Sequence, residues 1–159
     1  MKKLDLCAAI ISQLEAALDS ASAAADQARG TATDKQNIAE NKYDTLGLEA
    51  AYLAHGQSER VVQLVKDLAE FREIQQGIQP HEQIEVGSLV SLEDDSESKR
   101  HVFIGPSAGG NIVAFEGINV TVITANSPLG QSLMTLALND EVTTEIAGKK
   151  TNYLISGLW

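Results

Sequence analysis

Leu4, Cys7, Ile11, Leu14, Leu18, Ala21, Ala25 and Ala28 follow one another at spacings of 3, 4, 3, 4, 3, 4 and 3. An apolar repeat held for more than three heptads commits this segment to a helix with a seam that must be buried against another helix. The seam residues shrink from Leu and Ile to Ala along the chain, so a partner helix can come closer towards the far end. A second seam runs through Ala39, Tyr43, Leu46, Ala50, Leu53, Gln57, Val61, Leu64, Leu68 and Phe71. Its spacings alternate between 3 and 4 except for consecutive fours around Gln57, which reads as a stutter that locally unwinds the supercoil. With only the short polar tract 30–37 between them, the two helices are expected to form an antiparallel coiled-coil hairpin over residues 1–76. At the usual rise per residue, the first helix would be about 40 Å long. Such a hairpin has little core of its own and suits a probe or docking arm better than a catalytic domain.

The pattern changes near Gln76. The stretch QQGIQPHEQ, with Gly77 and Pro80 among polar residues, reads as a linker over 77–84. Beyond it the period becomes that of strands, at 88–93, 100–105, 111–116, 119–124, 141–146 and 151–156, with turns marked by EDDSES, PSAGG, EG and AGKK. Between the fourth and fifth strands, Ser127 as N-cap and Pro128 at the first helical position predict a short helix. The fold class is therefore α+β in two domains: a hairpin at 1–76 and a small sheet domain with one short helix at 85–159.

Charge narrows the partners. The net charge of -10 divides into -4 for residues 1–80, with 8 basic and 12 acidic side chains, and -6 for the rest, with 4 basic and 10 acidic. Binding to duplex DNA needs clustered Lys and Arg to neutralise phosphates, so independent DNA binding is not expected. No run of apolar residues approaches the roughly 20 needed to span a bilayer. The start MKKLDLCAAII faintly resembles a signal peptide, but Asp5 and Glu15 interrupt it and the helical period runs on, so a cytoplasmic location is expected.

Several motifs are weak. The lone Cys7 lies on the helical seam and is expected to be a buried, reduced thiol. GPSAGG (105–110) lacks a Walker lysine and is expected to be a hairpin loop. His55, His81 and His101 have no metal-ligand spacing. The acidic run Glu93, Asp94, Asp95, Glu97 reads as a solvated turn, and Trp159 as a residue that seals a core. No nucleophile and base can be paired, so the chain is not expected to be an enzyme.

The segment DKQNIAENKYDTLGLEAAYL (34–53) is harder to dismiss. Asn37 can cap the second helix while Glu40, three positions on, completes a capping box. Glu40 and Asp44 stand one turn apart, where like charges repel modestly, so helix formation does not call for Asp44.

NIAENKYDTLGLEAAYLAHGQSERVVQLVKDL resembles the hairpin tip and second coiled-coil helix of the bacterial Gre transcript-cleavage factors, whose tip typically has the form D-L-S-E-N-A-E-Y. VTVITANSPLGQSLMTLALNDEV, followed by GKKTNYLISGL, resembles their FKBP-like domain, including its N-S-P start and a G-D-x-V-type turn, here Asn139 to Val142. The resemblance covers almost the whole chain in the same order, and it implies a transcription elongation factor that binds RNA polymerase. The globular domain would dock at the rim of the secondary channel, with Asn126, Ser127, Pro128 and Leu129 as the docking segment. The hairpin would bring Glu40, Asp44, Asn37 and Asp34 to the active site of a backtracked complex, within reach of the nascent RNA 3′ end. The implied ion is the polymerase's own Mg²⁺, shared with Glu40 and Asp44, and the chain would stimulate the polymerase's endonucleolytic activity as an accessory factor. Mg²⁺ suits this role because it prefers oxygen ligands and is commonly held by only one or two carboxylates.

The sequence departs from the family at one tip position, where Asn37 stands in place of an aspartate. An amide keeps the cap and loses the charge; Asp34 lies three residues, about one turn, before it, and Asp44 seven residues, about two turns, after it. Three readings follow: a cleavage-stimulating factor, a secondary-channel regulator or competitor without cleavage, and an FKBP-like prolyl isomerase or chaperone. The third is disfavoured because this domain offers only Phe103, Phe115, Tyr153 and Trp159 to line an aromatic pocket.

Overall fold

The computed structural model describes residues 2–33, 46–146 and 148–159. Two long helices, α1 (Lys3–Thr33) and α2 (Leu46–Gly77), precede strands β1 (Leu89–Asp94), β2 (Lys99–Gly105), β3 (Ile112–Phe115) and β4 (Ile118–Thr124). A one-and-a-half-turn helix, α3 (Pro128–Leu133), and strands β5 (Glu141–Ile146) and β6 (Lys149–Leu158) complete the chain. The α+β class expected from the sequence is the observed one. By packing, the chain divides into one unit of Met1–Ile11 with Ala69–Trp159, and a second of Ser12–Leu68.

In the first unit the six strands form one mixed sheet in the order β3-β4-β2-β1-β6-β5. Only β2 and β4 pair in parallel, with Phe103 opposite Val122; the other neighbours are antiparallel. That pairing follows from the β3–β4 hairpin, which turns through Glu116 and Gly117, both at positive φ, and returns the chain alongside β2. A two-residue turn with positive φ at both positions matches the strand twist, and glycine takes the second position without strain. β6 departs from regular pairing where the register shifts between Ser91 and Leu92, and Ser156 there donates its hydroxyl to Ser91 Oγ at 3.1 Å.

The central strands β1 and β2 are buried on both faces, and their sequences LVSLED and KRHVFIG accordingly carry apolar runs where a one-sided strand would alternate. On one face Val90, Leu92, Val102, Ile104, Ile123 and Ile155 pack with Leu129 and Leu133 of α3 and with Ile84. On the other, Phe103 stacks on Phe71 of α2, with ring centroids 6.2 Å apart and 27° between planes. Cys7 of α1 lies against the same place, its Sγ 3.8 Å from the Phe71 carbonyl oxygen. Part of the 77–84 stretch is built into the domain: Gln83 bridges to Ala137, and Ile84 exchanges backbone hydrogen bonds with Leu136 and Thr135.

In the second unit α1 and α2 form an antiparallel hairpin. Leu14, Ala21, Ala25 and Ala28 are buried on α1, as are Ala50, Ala54, Leu64 and Leu68 on α2. Here the second seam differs from the sequence reading. Leu53 is 57% exposed and Ala54 only 7%, so Ala54 takes the seam position. The run Ala50, Ala54, Gln57, Val61, Leu64, Leu68, Phe71 then alternates 4 and 3 throughout, without a stutter. Leu4 is also 52% exposed, and Leu6 and Ile10 share the burial of the first turns with Cys7 and Ile11.

Candidate functional site

The segment that the resemblance assigns to docking begins where β4 ends. Thr124 O accepts hydrogen bonds from the Ser127 backbone N–H at 3.0 Å and from Ser127 Oγ–H at 2.7 Å, and Ser127 Oγ in turn accepts from the Gly130 N–H at 3.1 Å. Ser127 is thus the N-cap of α3, with Pro128 at the first turn, where a missing N–H costs nothing. Gly130 is required by closeness: a Cβ there would lie 2.0 Å from Thr124 O. The four positions have different fates. Asn126 and Pro128 are exposed, Ser127 is half-buried with its hydroxyl in the cap, and Leu129 is buried in the core. A partner approaching this corner meets the Asn126 side chain and the Pro128 ring, beside the exposed Gln131.

The hairpin presents a different surface. With Ala21, Ala25 and Ala28 facing a partner seam that holds Ala50 and Ala54, the two backbones can approach closely. Arg29 Nη2 donates to Ser58 Oγ at 3.0 Å and Ser58 Oγ donates to Ala54 O at 2.8 Å, tying the helices together at the edge of the alanine section. On the side of α2 away from the seam, Leu48 and Tyr52 lie one turn apart and are exposed, Tyr52 to 71%. The sequence reading did not single them out. Their signal was present, since two large apolar residues spaced by four fall outside the 50, 54, 57 seam.

The four tip residues Asp34, Asn37, Glu40 and Asp44, and with them the expected Mg²⁺ ligands Glu40 and Asp44, lie outside the described residues. Among the described residues no group of three or more His, Cys, Asp and Glu side chains could hold a metal ion. His55 is exposed beside Glu59. His81 is largely buried with Nδ1 against Glu85, and its Nε2 has no partner. Burial, and secondarily the Lys99 ammonium, lower the pKa of His101, whose Nδ1 is likewise buried without a partner. In the acidic turn Asp94 Oδ1 accepts from the N–H groups of Ser96 and Ser98 and from Ser96 Oγ–H, and Asp95 Oδ2 accepts from Asn152 Nδ2 of β6 at 3.2 Å. The four aromatics do not line one pocket: Phe103 is in the core, Phe115 is on the β3 edge, and Tyr153 and Trp159 belong to the opposite half of the sheet. Among the described residues no helix is long and apolar enough to cross a membrane.

In the chain, a mixed sheet with one short capped helix follows a helical hairpin seamed with alanine. The family model for the transcription elongation factor GreA/GreB C-terminal domain matches residues 79–158, just over half of the chain. The protein belongs to the GreA/GreB family of transcription elongation factors. Among solved structures it is similar to GreA factor homolog 1 (Gfh1) of Thermus thermophilus, at 18% identity over 94% of each chain with a TM-score of 0.40. It is also similar to Thermus aquaticus Gfh1, at 17% identity over 92% of each chain with a TM-score of 0.41. No curated protein matches it by sequence.

Proposed function

We propose that the protein binds RNA polymerase, enters the secondary channel with its helical hairpin, and stimulates cleavage of backtracked transcripts. What carries this reading is a hairpin narrowed by alanine on both seams, in a chain whose C-terminal half belongs to the GreA/GreB family. The segment joining α1 to α2 brings Asp34, Glu40 and Asp44 into a short stretch of sequence. One or two of these carboxylates would help hold a polymerase-bound Mg²⁺, which polarises the scissile phosphate and lowers the pKa of an attacking water. Exposed Asn126 and Pro128 would contribute to docking of the sheet domain. The chemistry would stay with the polymerase, the protein acting in the cytoplasm as an accessory factor.

Asn37 favours a second reading, in which the protein occupies the channel and regulates without cleavage. A neutral amide attracts a divalent cation far less than the carboxylate the family carries there. Competition for the cognate polymerase against a labelled copy of the chain tests binding, and cleavage by Asn37→Asp separates the two readings. Cleavage by wild type that Asn37→Asp changes less than threefold supports the first. A silent wild type with a gain of tenfold or more in the variant supports the second. Failure to compete for polymerase rejects both.

A further inference from the structure

Within the sheet-containing unit, the first turn of α1, the stretch after α2 and the C-terminal residues Leu158 and Trp159 border an open cavity of about 460 Å³. Leu4, Ile78, Pro80 and Trp159 supply a mainly apolar wall, and Lys2 and Lys3 add two ammonium groups. This is the size and character of a small-molecule site, apolar with a few polar groups that fix orientation.

The two lysines differ. Lys2 is exposed and lies 3.9 Å from Asp5, which also borders the cavity. Lys3 is only 8% exposed, and its Nζ donates to Gln79 O at 2.5 Å. An ammonium has three N–H donors, and a carbonyl occupies one of them. Glu85 attracts this charge without pairing with it, and burial lowers the Lys3 pKa more than Glu85 raises it. A cation held out of water at the wall of an apolar cavity is stabilised by an anion that brings its own apolar body.

We propose that this cavity binds a small amphipathic carboxylate, its tail against Leu4, Ile78, Pro80 and Trp159 and its anionic end at the Lys3 ammonium. Charge complementarity selects this occupant: a neutral apolar molecule leaves Lys3 as it is, and a cation is repelled by both lysines.

Trp159 is the only tryptophan in the chain, so its emission reports on the cavity directly. The test is a titration of the full chain with decanoate, below its micellar concentration, against 1-decanol and decyltrimethylammonium. A saturable change in Trp159 emission with one equivalent of decanoate is expected, with decanol at least tenfold weaker and the cation weaker still. Lys3→Met is expected to bring decanoate down to the affinity of decanol. Because Lys3→Met could also disturb the contact with Gln79, Leu4→Glu provides a second variant. Position 4 is half-exposed, so the fold is retained, and the new carboxylate is expected to weaken decanoate at least tenfold. Absence of a saturable change, equal binding of decanoate and decanol, or unchanged decanoate affinity in Leu4→Glu would each overturn the proposal.

Discussion

Gly130 shows how one residue can be fixed by a neighbour's backbone. An added Cβ would sit 2.0 Å from Thr124 O, a carbonyl that already accepts from both the N–H and the hydroxyl of Ser127. Gly130→Ala must therefore push α3 away from the end of β4, and a urea melt is expected to show a loss of about 1–3 kcal/mol, as for other overpacked sites. Cys7 illustrates a buried group with a pH signature. Burial pushes its thiol up to about 11 from 9.0. Between those values the unfolded chain has released a proton that the folded chain keeps, so stability falls as pH rises from 9 to 11. Ellman's reagent at pH 8 is expected to leave the native thiol unmodified and to titrate one equivalent in urea, whereas rapid native reaction would contradict a sealed site.

At the scale of elements, the register of the hairpin is the most informative feature. Leu53 and Ala54 adjoin in sequence, and apolar size favours Leu53 for the seam, yet the helices meet on Ala54. Close approach selects the smaller side chain, because a leucine there would force the backbones apart. Leu53→Ala is accordingly expected to change the thermal stability of the chain by no more than about 0.5 kcal/mol. Ala54→Leu is expected to cost about 1–3 kcal/mol by overpacking. Melting curves followed at 222 nm compare the two, and the reverse order would restore the stuttered seam. The strands were easier to read than the seam. Strand-length apolar stretches bounded by turn residues located all six, and Ser127-Pro128 located α3, because these signals are local. The parallel β2–β4 pairing and the docking of Ile84 against Leu136 depend on partners distant in sequence, which no local pattern specifies.

For the whole molecule, charge and family membership set the expectations. A chain of net charge -10 without a basic cluster is expected to leave duplex DNA unshifted in a gel at low salt, where phosphate contacts are strongest. A salt-sensitive shift would contradict a factor that reaches nucleic acid only through a protein partner. Of the four residues that the resemblance assigns to docking, Asn126 and Pro128 are exposed, whereas Leu129 is buried in the core, a difference that depends on packing against the sheet and that no local pattern specifies. The carboxylates in the sequence between α1 and α2 were legible only as sequence, where an expected capping box would account for Asn37 and Glu40 but not for Asp44. The most direct test of their role is the rate of transcript shortening in a stalled, backtracked complex of the cognate polymerase, with wild type and Glu40→Ala compared at saturating factor. The cleavage reading predicts shortening by wild type and a loss of at least tenfold in Glu40→Ala, with polymerase binding retained. Equal cleavage by the two proteins, or none by wild type, would contradict it.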